Sequence, residues 1–196
     1  MNYLDLITAV LGLAYILFEY RASRWMWVVG IVMQTLGIVL YYQKGLYADC
    51  GMEFYYLAMS FYGLVRWTAA SPEGKGERGT RITSLLRPAD GGVQWLTLLG
   101  SGVVGGLLWL LIWWLLTTFT DSRVPIADSF TTALSIVGIW MLAKKILEQW
   151  FVWIAVDVVT SALYFYKDIP FKASLYALYV VIAIFGYRKW RRMMKS

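Results

Sequence analysis

Seven mostly apolar stretches separated by short polar interruptions run the length of the chain: Tyr3–Phe18, Trp25–Tyr42, Tyr47–Trp67, Val93–Phe119, Ser129–Met141, Trp150–Tyr166 and Lys172–Trp190. A helix crosses the hydrocarbon core of a bilayer with about 20 mostly apolar residues, within a range of about 17 to 25. The pattern therefore predicts seven transmembrane helices, the fifth being the shortest and leaning on its flanks. The first stretch resembles a cleavable leader in length, but it lacks a positively charged start and a small-residue cleavage site, which predicts a retained helix.

Composition agrees. Of 196 residues 60% are hydrophobic and 15% charged, and mean hydropathy is +0.58, whereas soluble domains carry about 25% charged residues. The fold class expected is an all-α integral membrane protein. A single cysteine, Cys50, and no histidine exclude disulfide frameworks, Cys/His zinc sites and Ser–His–Asp triads. With no dense cluster of acids either, no enzymatic reaction, metal or cofactor is expected, and Cys50 is expected to be inert.

Charge sets the orientation. With the N-terminus outside, the loops after the first, third, fifth and seventh spans hold Arg21 and Arg24; Arg66, Lys75, Arg78, Arg81 and Arg87; Lys144 and Lys145; and Arg188, Lys189, Arg191, Arg192 and Lys195. Those are fourteen of the eighteen basic residues, against Lys44, Arg123, Lys167 and Lys172 on the other side. The positive-inside rule makes the richer side cytoplasmic, so the topology expected is N-out/C-in, and the net charge of +6 needs no nucleic-acid partner. The soluble-looking loop 71–92 contains Gly74-Lys75-Gly76-Glu77-Arg78-Gly79. That run formally matches a dinucleotide fingerprint, but it lies between membrane spans rather than in a βαβ unit and carries no such meaning.

The chain also repeats itself. A gapless shift of 123 residues, the difference between 27 and 150, lays Trp27 on Trp150, Lys44 on Lys167, Tyr56 on Tyr179, Gly63 on Gly186 and Trp67 on Trp190; upstream, Asp5 meets Asp128, Thr8 meets Thr131 and Leu11 meets Leu134. This divides the chain into a first three-helix repeat (1–67), a cytoplasmic loop (68–92), a connecting helix (93–119), a second three-helix repeat (128–190) and a basic cytoplasmic tail (191–196). One intervening span makes the two triplets run in the same direction, a 3+1+3 arrangement of two parallel repeats as in SWEET-like sugar transporters. Gly102 and Gly106 form a G-x-x-x-G face on the connecting span, read as helix packing.

Within the sixth span "EQWFVWIAVD" places an acid, Asp157, after Trp150 and Trp153. Positions i, i+3 and i+7 lie on one side of a helix, and a carboxylate so deep costs about 2.5 to 3.5 kcal/mol on insertion scales unless it faces a cavity or partner. No Lys or Arg lies at that depth in the seven spans. Aromatic faces attract cations by about 0.5 to 2 kcal/mol, so two tryptophans and an acid describe a site for a flat organic cation. Two plainer readings stand beside it: an interfacial belt for Trp150, and a protonated Asp157 bonded to a neighbouring helix. The repeat lays Asp157 on Gln34, Tyr176 on Glu53 and Tyr179 on Tyr56. Paired polar positions at one depth are where transporters of this build bind substrate. The candidate site is Trp150, Trp153, Asp157, Gln34, Glu53, Tyr56, Tyr176 and Tyr179, although Glu53 is also close enough to the outer surface to be simply solvated.

The run "WFVWIAVDVVTSALYFYKDIPFKASLYALYVVIAIFGYRKW" resembles the C-terminal half of the Pnu-type bacterial vitamin transporters (PnuC/PnuT), whose hallmark is a tryptophan pair followed four positions on by a polar residue. "GLYADCGMEFYYLAMSFYGLVRW" resembles the matching N-terminal part. Asp157, where the nicotinamide riboside branch carries Asn, and the Tyr47-Ala48-Asp49 run make the chain more similar to the thiamine branch. The resemblance implies facilitated diffusion of an unphosphorylated vitamin, most simply thiamine, across the inner membrane. It also implies trapping by a cytoplasmic vitamin kinase, and a homotrimer. Nicotinamide riboside, also a flat cation, is the alternative ligand. A non-transporting membrane partner subunit and an ion-coupled carrier using Asp5, Asp128 or Asp157 are the other readings left open.

Overall fold

A computed structural model describes residues 3–43, 45, 47–69, 82–86, 93–120, 124–166 and 168–195. The Gly74–Gly79 run, together with Lys44, Lys75, Arg78, Arg81, Arg87, Arg123 and Lys167, lies outside the described residues, as do the side chains of Asp5, Thr8, Tyr47, Asp49 and Lys195. Seven helices follow in order: α1 (Tyr3–Tyr20), α2 (Trp25–Gln43), α3 (Tyr47–Ala69), α4 (Val93–Phe119), α5 (Pro125–Ala143), α6 (Gln149–Tyr166) and α7 (Pro170–Lys195). The remaining structure among the described residues includes one isolated parallel bridge, Thr83 with Ile146.

Each helix overlies an expected apolar stretch, and the differences have local causes. α5 starts four residues before Ser129 because Pro125 occupies a first-turn position, where its missing N–H would have no intrahelical partner. The N–H groups of Ala127 and Asp128 reach Val124 O at 3.1 and 3.0 Å. α7 opens on Pro170 for the same reason and continues through its basic residues to Lys195. By length and composition α2, residues 96–119 of α4 and α5 are apolar enough to cross a membrane. α3, α6 and α7 interrupt their apolar character with Asp49 and Glu53, Asp157, and Lys172.

The chain forms two compact units, residues 1–81 with 143–145, and residues 82–142 with 146–196. In the first, α2 packs on α1 and α3; in the second, α6 packs on α7. Residues 143–145 join the first unit through Trp67, whose Nε1–H donates to Ala143 O at 3.0 Å. The Lys145 ammonium lies 4.2 Å above the Trp67 ring, and burial pulls it down from 10.5 to about 8.

Positions 123 residues apart share a backbone feature at the helix ends. α1 ends with Ala22 at φ 51°, α2 with Gly45 at 70°, α5 with Lys145 at 54° and α6 with Asp168 at 56°; 145 less 22 and 168 less 45 both equal 123. These left-handed residues close Schellman-type ends, which satisfy the last helical carbonyls. Ser23 N–H donates to Phe18 O at 2.9 Å and Ile146 N–H to Met141 O at 3.0 Å, while Gly45 N–H donates to Tyr42 O and Asp168 N–H to Phe165 O, both at 3.1 Å.

Packing repeats as well. Trp27 and Trp67 meet edge to face with ring centroids 5.6 Å apart, as do Trp150 and Trp190. Trp27 fills the space over Gly63, where a Cβ would come within 2.4 Å of the indole, and Trp150 fills the space over Gly186 with the same 2.4 Å approach. A third feature repeats with its direction reversed. The Cys50 thiol on α3 donates to Ile38 O on α2, whereas at the equivalent positions the Ser161 hydroxyl on α6 donates to Ala173 O on α7.

Five residues of the loop expected to be solvated do something else. Ile82, Ser84 and Leu85 are buried, and Leu147 N–H donates to Thr83 O at 2.8 Å. The Glu148 carboxylate takes the Ser84 hydroxyl and the N–H groups of Leu85 and Leu86 at 2.9 and 3.1 Å. Leu85 then completes an apolar cluster with Val137, Met141 and Ile146.

Candidate functional site

Asp157 is the ninth of the eighteen residues of α6 and only 7% exposed. It has no hydrogen-bond or ion-pair partner among the described residues; its one neighbour in electrostatic reach is Tyr179 on α7. The protonated, helix-bonded reading of Asp157 therefore finds no acceptor or donor among the described residues. A buried carboxylate left in this state costs far more than a paired one, so the position is one where a ligand group would be strongly felt.

From Tyr179 a row of tyrosines runs along the same two helices. Tyr164 on α6 stacks on Tyr176 of α7 at 5.4 Å, and Tyr176 meets Tyr179 edge to face at 5.5 Å. Lys172 lies 5.3 Å over the Tyr164 ring, at the end of this tyrosine row. One turn before Asp157, Trp153 is half-buried with its Nε1–H enclosed and unpaired among the described residues. Its ring edge rests against Gly138 of α5.

The single shared face expected for Trp150, Trp153 and Asp157 opens into a fan. At 3.6 residues per turn the three directions spread over about 60° with Asp157 between the other two. That is enough for Trp150 to lean on Gly186 and Trp190 of α7 while Trp153 leans on α5. Trp150 is 2% exposed, its surroundings match those of Trp27, and in both rings the indole N–H is enclosed without a partner among the described residues.

The equivalent tier of the first unit is less apolar. Gln34 on α2 is half-buried. Glu53 on α3 lays its carboxylate against Gly37, where a Cβ would stand 2.8 to 3.0 Å from it, so Glu53 is packed against α2 and not freely solvated. Tyr56 lies 5.7 Å from Tyr55 between ring centroids and within electrostatic reach of Tyr15 on α1. Asp128 stands in the first turn of α5. Among the described residues no group of three or more His, Cys, Asp or Glu side chains could hold a metal.

Two contributors escaped the sequence reading. Gly138 gave no signal, because a lone glycine in an apolar span has no meaning until its partner helix is placed. Glu148 precedes Trp150 by two residues but is bonded to backbone N–H groups more than sixty residues away, and backbone donors leave no trace in side-chain patterns.

Residues 2–192 match the nicotinamide mononucleotide transporter family. The chain is 23% identical to the nicotinamide riboside transporter PnuC of Neisseria mucosa over 99% of this chain and 74% of that one. It is 26% identical to the riboflavin/roseoflavin transporter RibM of Streptomyces davaonensis over 95% of this chain and 83% of that one. The crystal structure of a vitamin B3 transporter PnuC aligns over 96% of this chain and 80% of its own, with a TM-score of 0.70 at 23% identity, a likeness of fold.

Proposed function

Because the chain belongs to the nicotinamide mononucleotide transporter family, that of the Pnu-type multi-pass vitamin transporters, we propose that it carries a flat, cationic, unphosphorylated vitamin by facilitated diffusion. The observation that carries this reading is Asp157, buried at the middle of α6 without a hydrogen-bond or ion-pair partner among the described residues. A ring cation between Trp153 and the tyrosines of α7 supplies the missing charge and stacks on the aromatic faces. In the first unit Gln34, Glu53 and Tyr56 are the polar positions equivalent to Asp157, Tyr176 and Tyr179. Trp150 supports the site as a packing knob beneath Trp153.

The relatives' names move the first ligand candidate from thiamine to nicotinamide riboside. Thiamine stays as the second reading on one observation: the polar residue of the tryptophan motif is an acid, Asp157, where the resemblance gives the nicotinamide riboside branch Asn. A phosphorylated vitamin fits neither tier, since its negative charge would approach Asp157 and Glu53 where the dielectric is low. The family's mononucleotide description thus gives way here to the nucleoside.

Seven spans in two parallel repeats, an N-out/C-in orientation in the inner membrane, a homotrimer, and trapping of the ligand by a cytoplasmic kinase complete the proposal. The uneven placement of basic residues and the family supply the grounds. The test is a titration of the purified protein with nicotinamide riboside, thiamine and riboflavin, beside uptake into liposomes without any partner. Asp157→Asn keeps the shape but loses the charge, so affinity for thiamine should fall at least about thirty-fold, as when one member of a buried charge pair is removed. Unchanged affinity would mean that Asp157 does not face the ligand. Liposomes that take up none of the three vitamins would favour a partner subunit.

A further inference from the structure

The contact between the first and second helices of each three-helix set uses the same two positions with the bulk exchanged. In the first unit the ring belongs to α1: a Cβ on Gly30 of α2 would stand 3.3 Å from Cε2 of Tyr15 and 3.0 Å from Oγ of Ser60. In the second unit the ring belongs to α6: a Cβ on Gly138 of α5 would stand 3.4 Å from Cε2 and Cζ2 of Trp153 and 3.2 Å from Cγ1 of Val152. Tyr15 is equivalent to Gly138, and Gly30 to Trp153, by the same shift of 123. One helix crossing is thus filled from opposite sides.

The exchange puts the second unit's aromatic ring on the helix that carries Asp157. Trp153 has its back against α5, and its Nε1–H is enclosed and unpaired among the described residues. We infer that Gly138 is the positioning residue of the substrate site: the missing side chain at 138 is what seats the Trp153 indole one turn before Asp157, and so sets where a flat ring can stack. The gap is already closed to van der Waals distance: a methyl group at 138 makes Val152 give by a few tenths of an ångström and presses directly on the indole, where glycine leaves room. Gly102 on α4, by contrast, has no atom within 4 Å of a built Cβ. The inference rests on the proposed function only in taking Trp153 as a ligand contact.

The test uses the purified full chain, with nicotinamide riboside and thiamine as probes. Three quantities are read: the dissociation constant, the ligand-induced change in tryptophan emission that Trp153→Phe removes, and the unfolding midpoint. Gly138→Ala should weaken binding about two- to tenfold, the size of one displaced aromatic contact, and reduce the Trp153 emission change, while Gly102→Ala alters neither. The exchange variant Gly138→Tyr/Trp153→Gly rebuilds the first unit's arrangement. It should unfold at a higher temperature than Trp153→Gly alone, because the crossing is refilled, and still fail to bind, because the ring on α6 is gone; the reduced emission change of the Gly138 variant that keeps Trp153 is what a merely structural role does not predict. An exchange variant that binds like the natural chain would overturn the inference. So would Gly138→Ala with unchanged affinity and emission while Trp153→Ala loses binding; that result leaves the site reading intact. Unchanged binding by Trp153→Ala would instead overturn the site reading.

Discussion

Gly45 holds φ 70° at the end of α2 with nothing within 4 Å of the Cβ it lacks. Any cost of substitution there is therefore a backbone cost, and Gly45→Ala should destabilise by about 1 kcal/mol. Gly45→Asp, which copies the equivalent Asp168, should cost less, because a short polar side chain tolerates the left-handed region. Thermal unfolding in detergent ranks the three; Asp below Ala would contradict the argument. Asp157 was legible as a single residue, since an acid deep in an apolar run is conspicuous by its cost. Its surroundings were less so. That Trp150 leans on α7 and Trp153 on α5 depends on which neighbour each side of the fan meets, and helical spacing does not carry that information.

Between helices, the tightest demands fall on Gly63 and Gly186, each covered by an indole that leaves 2.4 Å for a side chain. Gly63→Ala and Gly186→Ala should each destabilise by about 1 to 3 kcal/mol, the usual range for overpacking a filled contact, and by similar amounts because the two contacts are built alike. A large difference between their unfolding midpoints would show that the equivalence stops at geometry. The seven helices and the shift of 123 were readable from sequence because both rest on side chains that recur at fixed spacing. The docking of residues 82–86 was not, since Glu148 holds them by backbone N–H groups that any sequence supplies.

For the molecule as a whole, fourteen basic residues in the loops and tail after the first, third, fifth and seventh spans, against four in the others, predict that a reporter fused after Ser196 behaves as cytoplasmic. Alkaline phosphatase activity in the periplasm from that fusion would reverse the orientation. A multi-pass helical transporter was legible from hydropathy, the absence of histidine and the repeat taken together. Ligand choice was not, because thiazolium and pyridinium rings are both flat cations and an aromatic–acid tier attracts either one. The two units also differ chemically where they agree in shape: Asp157 answers Gln34, Tyr176 answers Glu53, and Trp153 answers Gly30.

The left-handed residues that end the helices act as a ruler. Ala22 and Gly45 bracket α2 as Lys145 and Asp168 bracket α6. Gln34 and Asp157 each stand twelve residues beyond the first mark and eleven before the second. At 1.5 Å per residue that is about 18 and 16 Å, near the centre of a core roughly 30 Å thick. One residue inserted between the marks would turn everything beyond it by about 100°, carrying Asp157 away from Tyr179 or Gln34 out of its tier. An insertion or deletion within the two marked helices therefore breaks the site, as does one within α3, α5 or α7 that turns Tyr56, Gly138 or Tyr179 away, so that insertions and deletions, more than substitutions, bound how far such a sequence can drift.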